Sequence, residues 1–192
     1  LDGQLIVYDS ADREVDRNRD MFGRDSFLEI QAAHDGEFLL AVSDILYRGG
    51  SDHFYRLSIS DGPHVVFVYP PAGEPGSTQH YTLYGRNLPG GVLDESARVR
   101  GHALETVQVE ISLPETATTP PGFHPGQPRQ GLLPGFDYEL KAANPVRMGF
   151  ATAPVVPEST EDAVQKISVP SEVAGRFDEP DDEDVFRFTT QI

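Results

Sequence analysis

The chain has 192 residues, 15 Lys+Arg against 31 Asp+Glu, a formal charge of −16 and no cysteine. That balance repels a phosphate backbone or an anionic lipid surface, so nucleic acid is not expected as a partner, and the missing cysteines remove disulfides, thiolate metal sites and Cys nucleophiles together. The length suits one large β-domain or two small ones, and no apolar run approaches the roughly 18 residues that span a bilayer, so no membrane insertion is expected.

Taken in chain order, short alternating runs predict strands at Gln4–Tyr8, Phe27–Ile30, Glu37–Val42, Phe54–Ile59, Val65–Tyr69, Gln79–Tyr84, Thr106–Leu113, Asp137–Lys141, Val146–Phe150 and Val185–Thr189. In the clearest, Val107, Val109, Ile111 and Leu113 alternate with Gln108, Glu110 and Ser112, which puts one face in a core and the other in water. Tyr55, Leu57 and Ile59 form a similar stripe. Asp61-Gly62-Pro63 closes the first block, Pro114–Pro134 reads as a long Pro/Gly-rich surface loop, and Ala153–Pro157 as an extended linker. One helical turn is predicted, at Ser159–Lys166, with Ser159 or Thr160 as cap. The absence of any long amphipathic pattern points away from α/β enzymes and towards β-sandwiches. Residue 1 opens directly onto strand-like sequence, so any export signal is expected outside this stretch.

The runs Leu1-Asp2-Gly3-Gln4-Leu5, Gly23-Arg24-Asp25-Ser26, Asp35-Gly36-Glu37-Phe38 and Tyr55-Arg56-Leu57-Ser58-Ile59 resemble, in order, the later strands of the bacterial pre-peptidase C-terminal domain. Val173-Ala174-Gly175-Arg176-Phe177 and Asp182-Glu183-Asp184-Val185-Phe186-Arg187-Phe188 resemble the opening strands of the same family. Between them, Val65–Pro70, Gly76-Ser77-Thr78 and Leu83-Tyr84-Gly85-Arg86-Asn87-Leu88-Pro89 are similar to an immunoglobulin-like domain of the transcription-factor type, although the antibody-type Cys and Trp core is missing. The resemblances imply an all-β chain of two sandwich modules, one jelly-roll-like and one immunoglobulin-like. Residues 1–61 supply later pre-peptidase-type strands, 62–157 the immunoglobulin-like sandwich with its 114–134 loop, and 158–192 a linker and opening strands. They also imply a secreted or cell-surface bacterial protein, of the large planctomycete-like kind, with no catalytic residues in these modules.

Several constellations bear on chemistry. Asp16-Arg17-Asn18-Arg19-Asp20 has the D-x-N-x-D spacing that sets oxygens around Ca²⁺, but Met21 stands where an EF-hand needs Gly and Phe27 where it needs Glu. A locally hydrogen-bonded connection between strands is the competing reading. Asp178–Asp184 holds six carboxylates in seven residues, so a Ca²⁺ site using Asp182 and Asp184 stands against a solvated acidic turn. The histidines at 34, 53, 64, 80, 102 and 124 lack zinc spacing, and Ser26 lacks a nucleophile elbow, so an enzyme is not expected. Tyr47, Phe54, Tyr55, Tyr69, Tyr81, Tyr84 and Tyr138 are either core residues or a platform on which sugar rings stack.

The function expected from all this is structural: spacing or anchoring other domains of the same polypeptide, with no cofactor required. The alternatives are a polysaccharide- or matrix-protein-binding module assisted by calcium, or an accessory segment of a secreted peptidase. Because each end resembles part of one sandwich, Val169–Ile192 is expected to pair with Leu1–Ser60, within one chain or reciprocally as a strand-swapped homodimer.

Overall fold

The computed structural model describes residues 2–19, 26–32, 35–118, 134–178 and 181–190. The chain divides into two compact units, Leu1–Ile59 and Ser60–Ile192. Among the described residues every regular element is a strand, so the all-β class read from the sequence is the class the chain adopts.

The first unit holds one antiparallel sheet of β1 (Gly3–Tyr8), β2 (Glu14–Asn18) and β3 (Leu39–Asp44), in the order β2-β1-β3. The β1–β2 turn is made by Asp9, whose carboxylate accepts the amides of Ala11 at 2.9 Å and Arg13 at 3.0 Å. Asp12, at φ 57°, completes the reversal. At the other end of the sheet Asp44 does similar work for the turn after β3. The expected strands at Phe27–Ile30 and Phe54–Ile59 lie outside the ladders. Alternation makes a strand only where a neighbour covers the apolar face, and here Phe54 and Ile59 stand 82% and 80% exposed.

The second unit contains β4 (His64–Tyr69), β5 (Ala72–Gly73), β6 (Thr78–Arg86), β7 (Val92–Val99), β8 (His102–Ser112), β9 (Gly135–Glu139), β10 (Pro145–Phe150), β11 (Val155–Pro157), β12 (Gln165–Lys166), β13 (Glu172–Ala174) and β14 (Phe186–Arg187). A four-stranded sheet runs β4-β6-β8-β7 and a three-stranded one β5-β10-β9. Val65, Val68, Tyr81, Leu83 and Ile111 from the first meet Phe136 and Met148 from the second in one core. Leu83 and Tyr84 are consecutive in β6 and so point to opposite faces. Accordingly Tyr84 belongs to a second cluster, with Ala97 and Leu104 and the flanking Val66, Phe67, Tyr69 and Val99. The four-stranded sheet therefore carries apolar packing on both faces.

The Gly85-Arg86-Asn87-Leu88 run has a local explanation. A β-bulge interrupts β4 between Val65 and Phe67, opposite Gly85, where a Cβ would sit 2.1 Å from the His64 carbonyl oxygen. Asn87 takes φ 51° and donates from Nδ2 to Asp61 O at 3.0 Å, which lets Leu88 turn inward to 5% exposure. Asn144 joins the sheets: its Oδ1 accepts the Val65 amide at 2.7 Å and its Nδ2 donates to Val65 O at 2.9 Å.

Beyond β10 the chain departs from expectation. The stretch read as a linker forms β11, paired in parallel with β13. The predicted helical turn is instead a bend, in which Ser159 Oγ accepts the Glu161 amide at 3.3 Å and faces Asp162 Oδ2 at 3.2 Å before the chain enters β12. Val185–Thr189 does not ladder with the first block: the amides of Gln165 and Ile167 donate to Val185 O and Arg187 O, both at 2.9 Å. A segment about 20 residues earlier, β12, supplied a ladder at lower loop-closure cost than a distant block, and exchange between chains would first require this pairing to open. Of the Pro114–Pro134 loop, 119–133 lie outside the described residues.

Candidate functional site

Beside β11 the second unit has a cavity of about 520 Å³ lined by Glu158, Ser159, Asp162, Arg176, Asp178 and Asp181–Asp184, with Val185 and Phe186 at its edge. Asp182 and Asp184, the acidic pair singled out in the sequence, are thus brought together with carboxylates from the end of β11 and with one arginine. Their partners are largely backbone. Glu158 Oε2 accepts the Arg176 amide at 2.9 Å, and Asp182 Oδ2 accepts the Asp178 amide at 3.0 Å. Gly175 makes the convergence sterically feasible, since a Cβ there would stand 2.8 Å from Glu158 Oε2 and 3.1 Å from Asp184 Oδ2.

Arg176 is the residue that sequence reasoning missed. Its Nη1 donates to Tyr84 Oη at 3.0 Å and its Nη2 lies 3.3 Å from Asp178 Oδ1. The guanidinium sits 5.4 Å from the Tyr69 ring centroid and 5.6 Å from that of Tyr84. Burial works against its charge, but Tyr84, Asp178 and Glu158 outweigh that cost and hold its pKa above the ordinary arginine value. Burial, with the nearby Glu158, pushes the Tyr69 hydroxyl up, and that hydroxyl donates to Ala174 O at 2.9 Å. The only sequence signal was Arg176 standing beside Gly175 in a strongly acidic stretch.

Asp16 and Asn18 lie in the first unit on β2, opposite Val7 and Leu5. Alternate residues of a strand share a face about 6.6 Å apart rather than curling around one ion. Asp16 Oδ1 accepts the Arg17 amide at 2.8 Å and Asn18 Oδ1 the Phe27 amide at 3.4 Å, so both engage in backbone bonding, while Asp20 lies outside the described residues. Among the described residues no three His, Asp or Glu side chains gather as a metal site. Ser26 Oγ is held between the carbonyls of Gly3 and Arg19.

The aromatic residues named from the sequence separate by burial, with Tyr69 and Tyr138 half-buried against the two apolar clusters. Tyr81 and Tyr84 are core, at 1% and 7% exposure, whereas Tyr47, Phe54 and Tyr55 stand 94%, 82% and 69% exposed in the first unit. Comparison with family models, curated proteins and solved structures returns no match. Among the described residues no helix is long and apolar enough to cross a membrane.

Proposed function

We propose that the chain is a non-catalytic structural module of an exported bacterial cell-surface protein, spacing or anchoring other domains of the same polypeptide. In this reading residues 62–157 are an immunoglobulin-like sandwich and the two ends are pre-peptidase C-terminal-like strands. The observation that carries it is the use made of the acidic cavity beside β11. There Glu158 and Asp182 accept backbone amides and Arg176 grips Tyr84, so these three side chains are engaged in holding the chain together, which supports a structural role.

A second reading, a polysaccharide- or matrix-protein-binding module assisted by calcium, draws on the exposed Tyr47, Phe54 and Tyr55, because aromatic faces stack on sugar rings. A glycan array separates the two: a spacer gives no hit, and a hit abolished by Tyr55→Ala replaces the structural reading with the binding one. Melting with millimolar Ca²⁺ and with chelator adds the metal arm, since a bound ion raises the midpoint and chelation reverses it.

A further inference from the structure

We infer that Arg176 is a latch, a positioning residue that locks the segment after β10 onto the outer face of the four-stranded sheet and makes this joint rigid. Parallel β11 and β13 pair over three residues each, which is too short a ladder to hold by itself in water. Three connections from β13 and the residues after it supply what the ladder lacks. Tyr69 Oη fastens the last residue of β13 by its bond to Ala174 O at 2.9 Å. Glu158, just past β11 and with its side chain only 10% exposed, receives the Arg176 amide at 2.9 Å and so ties the ends of the two strands together. The Arg176 side chain then reaches the second apolar cluster, lying near Tyr69 and Tyr84, where Tyr84 is itself stacked on Phe67 with centroids 4.4 Å apart.

The guanidinium shape matters more than its charge. The ion pairs are long, 3.3 Å to Asp178 and 4.0 Å to Glu158, and Arg176 remains 31% exposed, so salt screens much of their attraction. A delocalised guanidinium that lies near two tyrosine rings while donating to Tyr84 Oη and reaching Asp178 combines contacts that the compact ammonium of a lysine does not make at once. The latch does not depend on the spacer reading: a glycan hit would displace that reading and leave the joint as it is.

Hydrogen exchange on the whole chain tests it, read at the amides of Glu158 and Glu172, which donate to Ala174 O and Pro154 O. Arg176→Ala and Arg176→Lys are each expected to speed exchange there at least ten-fold, with the β6 and β8 amides changed less than two-fold. Unchanged exchange at Glu158 and Glu172 in Arg176→Ala overturns the latch, as does an equal loss of protection through β6 and β8, which marks a general stabiliser, or a Lys variant that behaves as the parent. Should Arg176→Ala fail to fold, Tyr84→Phe keeps the ring and removes the acceptor. A few-fold rise at the same two amides then supports the latch, and none overturns it.

Discussion

Asp44 shows how much one side chain can organise. Its carboxylate accepts the amides of Asp2 at 2.8 Å, Leu46 at 3.2 Å and Arg48 at 3.0 Å, together with the Arg48 guanidinium at 3.1 Å. The Arg48 side chain first, and the amides of Asp2 and Arg48 after it, hold the carboxyl well below its ordinary value of 3.8. A depressed folded-state pKa contributes stability that is present above the unfolded value and lost as pH falls through the folded one. The stability difference between the parent and Asp44→Asn is therefore expected to be full at pH 7 and to shrink steadily below about pH 4, as followed by thermal melts across that range. An Asn variant with the same acid profile as the parent would remove Asp44 from this role. Nothing in the sequence marked it, because Asp44 ends an ordinary apolar run and its partner Asp2 is identified only once β1 and β3 pair.

At the scale of elements, legibility followed the burial of an apolar face. β4, β6, β8, β9 and β10 were readable because inward residues such as Leu83, Ile111 and Met148 find a real core. β7 and β2 were not, since Val92 and Leu93 are exposed and Glu14–Asn18 is almost wholly polar, so their pairing rests on backbone ladders that leave no apolar period. The paired sheets also hid their joint. Asn144 lies outside the strands, yet it satisfies both the amide and the carbonyl of Val65, which is 2% exposed. Asn144→Ala strands these buried groups and is expected to cost about 1–3 kcal/mol in urea unfolding, without altering the slope that reports exposed surface. A loss under about 0.5 kcal/mol, the usual range of surface changes, would show that the bulge finds other partners.

For the molecule as a whole, class was legible and assembly was not. Strand periods, turn residues and the missing helical pattern suffice for an all-β chain, whereas the acidic run gave no hint that β14 would pair with β12 or that Arg176 would sit among the carboxylates. The alternating Tyr55, Leu57 and Ile59 stripe misled for the converse reason, since its period is strand-like but among the described residues it lies outside every ladder. Tyr55→Ser and Ile59→Ser are expected to leave the unfolding free energy within about 0.5 kcal/mol of the parent, the range of exposed substitutions. A loss of 2 kcal/mol or more, of the order of about one buried apolar side chain, would mean that this stripe is covered in solution.

The parallel pairing of β11 with β13 has a mechanical consequence. The chain enters β11 at Val155 and leaves β13 at Ala174, and because the two strands run the same way, tension along the polypeptide pulls them lengthwise in opposite directions. The hydrogen bonds between them are then loaded in shear and share the force, instead of being peeled one after another as at the open end of a hairpin. Stretching this chain thus loads in shear the joint where Arg176 grips Tyr84.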